Sequence, residues 1–154
     1  MGEALLTGLL ANGWAELAEV TVVEPTAARQ AELRHAFPDL TIITEPVAAD
    51  GAVLAVKPAQ VASAARALAS AGGAAHVLSI AAGITTAAIE AELPAGTPVV
   101  RAMPNTPALV GAGAAAIAGG AAAGDDDLAW AEGLLATVGT VVRVSEPRRG
   151  GAAR

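Results

Sequence analysis

The sequence has no cysteine. Disulfides, thiolate nucleophiles and zinc–cysteine sites are therefore excluded. Histidine is scarce as well: His35 and His76 are the two, and they lie far apart in the chain. A serine–histidine triad or a histidine-based metal site would have to use one of them, and no metal site is read. Lysine occurs once, at Lys57, beside eight arginines, and the formal net charge is −6. The one local basic cluster is Arg148–Arg149 near the C-terminus. Binding nucleic acid by neutralising phosphates requires the opposite balance, so no nucleic-acid partner is expected. Long apolar runs are missing too. The uncharged stretch from Ala102 to Gly124 is interrupted by Pro104, Asn105, Pro107 and several glycines. A bilayer-spanning helix needs ~20 consecutive apolar residues. The N-terminus has an acid at Glu3 and no basic segment, so neither a membrane span nor a signal peptide is expected, and the location read is cytoplasmic.

What is present is a chain of 154 residues with 54% apolar and 16% charged side chains. That composition excludes disorder and supplies one buried core in one domain, or at most two. Short β-branched runs occur at Val20–Val23, Leu40–Ile43, Ala52–Val56, His76–Ile80, Pro98–Arg101 and Thr140–Val144. Between them lie segments at helical spacing: Glu3–Asn12, Ala27–Ala36, Gln60–Ala71, Thr86–Glu92 and Asp126–Thr137. Nearly continuous apolar strands alternating with helices predict an α/β domain with a mainly parallel sheet. Thr26 is a candidate cap for the second helix, and Asp125 or Asp126 for the last. Gly13, Gly72–Gly73 and Gly139 stand where helix-ending glycines are expected. The stretch Gly111–Gly124 reads either as a further strand near Ala114–Ala118 or as a close-packed loop.

The chain opens on a helix where a doubly wound domain opens on a strand. Gly2 then stands where the last glycine of a G-x-G-x-x-G phosphate loop would fall. Glu24 follows at the end of the next strand, at the spacing of a ribose-binding acid; without the first two glycines of the loop, a solvated strand-end acid is the slightly favoured reading. Thr26 and Arg29 are close enough in sequence to meet a 2′-phosphate, which Glu24 opposes, so NAD and NADP are both open. Ala55-Val56-Lys57-Pro58 leaves a strand where open α/β sheets bind ligands; a surface lysine is the alternative. Ala82 and Gly83 follow the next strand, where small residues permit close backbone approach or close packing. Arg101-Ala102-Met103-Pro104-Asn105-Thr106-Pro107 brackets two polar residues with prolines, stiffening a loop suited to substrate positioning or to an ordinary turn.

The segments MGEALLTGLL, VLAVKP, SIAAGI and VVRAMPNTPALVGAGAAAI, in this order and spacing, resemble pyrroline-5-carboxylate reductase. The resemblance covers residues 1 to about 146, the family's N-terminal dinucleotide-binding domain without its first strand. It implies a Rossmann-like fold and NAD(P)H-dependent reduction of 1-pyrroline-5-carboxylate to L-proline, the last step of proline synthesis. It further implies cofactor contacts from Gly2, Glu24, Ala55, Val56, Lys57, Pro58, Ala82, Gly83, Met103, Pro104 and Asn105. Asn105 and Thr106 fall on the substrate side, and the cofactor is NADP or NAD. The family's groups nearest the substrate come largely from a C-terminal helical domain, which is also where it homo-oligomerises. That domain has no counterpart here, and residues 147–154 form a non-family tail. The alternative reading is a non-catalytic fragment or nucleotide-binding remnant of the enzyme. Without the first two glycines, dinucleotide binding is expected to be millimolar or weaker, or ~4 kcal/mol or less. Without the first strand, the strands that would flank it are expected to leave edges unpaired.

Overall fold

The computed structural model describes residues 1–104 and 113–145. Asn105, Thr106, the domain boundary at residue 146 and the expected tail at 147–154 lie outside the described residues. Five helices and seven strands alternate along the described chain. They run α1 (Gly2–Ala11), β1 (Thr21–Val23), α2 (Ala27–Ala36), β2 (Thr41–Ile43), β3 (Ala49–Leu54), α3 (Val61–Ser70) and β4 (Ala74–Ser79). Then come α4 (Thr86–Glu90), β5 (Val99–Pro104), β6 (Gly113–Gly119), α5 (Asp125–Leu135) and β7 (Gly139–Arg143). Short 3₁₀ turns occupy Leu17–Glu19 and Pro58–Gln60.

The expected α/β alternation is borne out, with one difference in layout. The strands form two sheets, β1-β2 and β3-β4-β5-β6-β7. All pairings are parallel except β5 with β6. Between Ile43 and Ala49 there is no helix. Parallel neighbours need a crossover of roughly a dozen residues or more, so β3 is not a parallel neighbour of β2 and starts a second sheet. Among the described residues, β1 and β3 are therefore edge strands of their sheets.

The core has two halves, one on each face of the larger sheet. Val77 and Val99 join Val61, Ala65, Leu68 and Ile89 of α3 and α4. Their neighbours Leu78 and Val100 point the other way, to Leu5 and Leu9 of α1 and Ala131, Leu134 and Leu135 of α5. This alternation follows from the two-residue period of a strand. All four strand residues are fully buried, which explains why β4 and β5 read as nearly continuous apolar runs.

Local chemistry departs from expectation at several ends. β3 begins at Ala49, not Ala52, and stops at Leu54, so Ala55 and Val56 lie in the loop beyond it. The ambiguous segment near Ala114–Ala118 is a strand, β6, antiparallel to β5. Thr26 stands at the N-cap of α2, but its side chain makes no cap bond. Instead the Thr26 N–H donates to Glu24 Oε1 at 2.8 Å. The N-cap of α5 is Gly124, not an aspartate. Asp127 caps from inside the helix, accepting the Gly124 N–H at 2.8 Å. Its other oxygen lies 2.5 Å from His76 Nδ1 on β4. Trp130 stacks on the His76 ring with centroids 5.2 Å apart. The indole passes so close to Gly51 of β3 that a Cβ there would fall 2.5 Å from it. The expected helix-ending glycines Gly13 and Gly72 follow α1 and α3 with positive φ, as does Gly73. Gly139 instead opens β7 opposite Gly113, and a Cβ on it would run into the Gly113 backbone.

Two substitutions test this packing. Leu78→Ala should cost about 2–5 kcal/mol, because it empties a site covered on all sides. Gly139→Ala would place a Cβ 2.1 Å from the Gly113 carbonyl oxygen, and should cost about 1–3 kcal/mol or more because backbone must move. Urea unfolding monitored by circular dichroism reads both; wild-type midpoints would overturn the packing argument.

Candidate functional site

Because β3, β4 and β5 are parallel, their carboxyl ends share one edge of the sheet. Open α/β sheets bind ligands outside that edge, for the loops there are free of the ladder. The loop after β3 carries Ala55, Val56, Lys57 and Pro58. Val56 tucks against the α3–α4 half of the core, while Ala55 and Lys57 are exposed. Lys57 is extended and precedes the 3₁₀ turn that Pro58 opens. The loop after β4 turns at Ser79, whose Oγ accepts the Ala81 N–H at 3.3 Å. Ala82 and Gly83 then stand exposed, Gly83 with φ 75° and open space where a side chain would be. β5 ends on Met103, 41% exposed, and Pro104.

The start of α1 lies against the same edge. A Cβ on Gly2 would sit 3.1 Å from the Cβ of Ala55, so helix and loop approach closely. Met1 and Leu5 line a shallow apolar depression with Ile80 and Pro104. The first turn of α1 thus reaches across the ends of β3, β4 and β5. It has no side-chain cap. The N–H groups of an uncapped helix start carry partial positive charge and favour an anion.

An ion-pair relay ties the smaller sheet to this edge. Glu3 of α1 holds the Arg29 guanidinium of α2, and Glu32 holds it from the other side at 2.5 Å. The Glu32 and Glu3 carboxylates push the Arg29 pKa further above its ordinary range. Glu24, at the end of β1, extends the ladder with its N–H to Ile43 and bonds the α2 start with its side chain. Gln30 of α2 donates to the Glu24 carbonyl at 2.6 Å.

The structure therefore brings Gly2, Ala55, Lys57, Pro58, Ala82, Gly83, Met103 and Pro104 to one edge, with Glu24 joined to it through α2 and α1. Asn105 and Thr106 lie outside the described residues. Arg29, expected near a 2′-phosphate, is engaged by two acids. Sequence reasoning missed the Glu3–Arg29 pair and the depression that Met1 and Leu5 line with Ile80 and Pro104. Both join residues far apart in the chain, and no local pattern marks them. Among the described residues, no group of three or more His, Asp or Glu is placed to hold a metal ion. Among them too, no helix is long and apolar enough to cross a membrane.

Residues 1–83 match the family model described as NADP oxidoreductase, coenzyme F420-dependent. The chain belongs to this family. Over 95% of its length it is 40% identical to the pyrroline-5-carboxylate reductase of Mycobacterium tuberculosis, covering 52% of that protein. It is likewise 40% identical to the Synechocystis reductase, again over 95% of this chain and covering 55% of that one. The chain spans about half the length of the curated relatives it matches. Among solved structures, a pyrroline-5-carboxylate reductase from Coxiella burnetii matches with a TM-score of 0.83 and 29% identity, covering 95% of this chain and 56% of that one. The Plasmodium falciparum pyrroline carboxylate reductase, solved with NADP bound, matches at 0.75 and 20% identity over 94% of this chain and 53% of that one, which shows a shared fold. The resemblance to pyrroline-5-carboxylate reductase read from the sequence is borne out.

The Glu24 link can be tested on the fold alone. Glu24→Ala leaves the Thr26 N–H without its acceptor, and should cost about 0.5–2 kcal/mol, as loss of a helix cap does. Urea unfolding measures it, and an unchanged midpoint would show that the bond contributes nothing to α2.

Proposed function

We propose that this chain is the dinucleotide-binding part of a pyrroline-5-carboxylate reductase, with residues 1–146 forming that domain. In this reading it binds NADP or NAD along the carboxyl edge of β3, β4 and β5. The observation that carries the reading is the placing of the α1 start against Ala55 and beside Ile80 and Pro104. The residues present fit a dinucleotide. The α1 N–H groups and Lys57 favour its phosphates, and Glu24 keeps acceptor capacity for ribose hydroxyls after binding Thr26. Ala82 and Gly83 let backbone approach a planar ring, and Met103 and Pro104 supply an apolar wall.

When bound, the reduced nicotinamide supplies the hydride for the imine carbon of 1-pyrroline-5-carboxylate. This chain's contribution is orientation: a rigid edge that fixes one partner of the transfer. Asn105 and Thr106 are the proposed substrate-side residues. The substrate is a small molecule, the location cytoplasmic, and assembly into homo-oligomers runs through a helical domain outside this sequence. No nucleic acid or membrane takes part.

The second reading is a nucleotide-binding module without turnover of its own. Mixing the chain with NAD(P)H and 1-pyrroline-5-carboxylate separates the two. Loss of the reduced-nicotinamide absorbance supports the enzyme; dinucleotide binding without it supports the module.

A paired substitution tests the edge. Gly13, at the far end of α1, and Gly83 both have positive φ and open space for a Cβ. Alanine at either should cost a similar ~1 kcal/mol of backbone strain. Gly83→Ala should in addition weaken dinucleotide binding by about tenfold, or ~1.4 kcal/mol. Gly13→Ala should leave binding unchanged. Equal effects of the two in calorimetric titration would place the dinucleotide elsewhere.

A further inference from the structure

We propose that the free edge of β7 pairs with β7 of a second copy of this chain, antiparallel and about a two-fold axis at Val142. The inference does not depend on where a dinucleotide binds. It is also separate from assembly through a helical domain.

β7 is the last strand of the larger sheet. It bonds β6 on one side and, among the described residues, no strand on the other. Its ladder to β6 shows which main-chain groups are left over. The Val138 carbonyl accepts the Gly113 N–H, and the Val144 N–H donates to the Ile117 carbonyl. In a parallel ladder alternate residues turn both main-chain groups to the same neighbour. The even-numbered positions therefore face β6, and the N–H and C=O groups of Val141 and Arg143 face outward. Water or another strand must take them up.

The side chains favour a strand. Val142 is 54% exposed and Val144 43%, on the face they share with Thr140. On the opposite face Val141 packs against the core half formed with α1 and α5, and Arg143 reaches back to Glu132 of α5 at 2.6 Å. Arg143 is the one charged residue of β7, which has no proline. With its guanidinium drawn to α5, little guards the edge. Sheet edges are ordinarily protected by charge, by proline or by being short. The other edges here are: β1 and β2 have 3 residues each, and β3 carries the exposed acid Asp50.

The occupant is a second copy because the strand is complementary to itself. Antiparallel pairing centred on Val142 sets it against the partner's Val142 and sets Thr140 against the partner's Val144. Val141 then faces the partner's Arg143, and the outward N–H and C=O groups of that pair bond each other. Apolar side chains meet across the axis and no like charges do; a centre on Arg143 would oppose two guanidiniums. The same edge is used on both copies, so the pairing closes at two and joins the two larger sheets into one.

Sedimentation equilibrium of the whole chain tests this. The expected result is a reversible monomer–dimer equilibrium in the micromolar range, as suits a small interface, with no larger species. Amide hydrogen exchange on the same protein should show the Val141 and Arg143 N–H groups slowing as concentration rises. Val142→Lys puts two ammonium groups opposite each other and should weaken the dimer by about tenfold or more, as should Val142→Glu. Mixed in equal amounts, the two variants should dimerise again, since lysine then faces glutamate. Val47→Lys, at a site 53% exposed but outside β7, should leave the dimer unchanged. Circular dichroism checks that each variant is folded. A wild-type monomer at millimolar concentration would overturn the proposal and leave the edge to residues 146–154 or to another protein. A dimer unmoved by Val142→Lys, or one in which the Val141 and Arg143 amides exchange freely, would overturn the β7 edge as the contact. Folded variants that stay monomeric when mixed would overturn the two-fold at Val142, and open-ended growth would overturn closure at two.

Discussion

The structure depends on burying the central strands β4 and β5 on both faces. Val77 and Val99 face one way, Leu78 and Val100 the other, and none is reached by solvent. Sealing two faces requires helices on both. α3 and α4 cover one side, α1 and α5 the other. Parallel pairing, in turn, requires each crossover to return the chain to the same end, so successive strands deliver their loops to one edge. The candidate site is a consequence of that geometry.

The edge is made largely of backbone and small side chains. Gly2 and Ala55 touch because neither has bulk to prevent it. Gly83 turns with a conformation that side chains resist. The charged residues work at the margin, where Glu3, Arg29 and Glu32 join two helices and Glu24 fixes the start of α2. Far from this edge, Asp127, His76 and Trp130 clamp α5 onto β4 and β3, holding one cover of the sheet in place.

Much of this was legible because strand and helix periods are local. The helices were found within a few residues of their ends, and the loops after β3, β4 and β5 carried their own proline and glycine signals. Errors arose where a non-local partner decides. β3 starts early because Gly51 pairs with His76 and leaves room for Trp130, neither of which its own neighbours reveal. Gly139 looked like a helix end and proved to be a close contact with Gly113. Asp127 caps α5 from within, and its other carboxylate oxygen meets His76, a partner 51 residues away.

The sequence by itself determined the α/β class, the family resemblance and the loops that meet at the edge, since periodicity and short motifs are written in adjacent residues. Tertiary structure decided the division into two sheets, the antiparallel β6, and the company each charged residue keeps. Arg29 illustrates the difference. In the sequence it stands five residues after Glu24 and reads as a phosphate ligand. Folding brings Glu3 to it across 26 residues, and a cation that looked free becomes neutralised. Charge is a property of residues, but the field at a site is set by which charges the fold brings together.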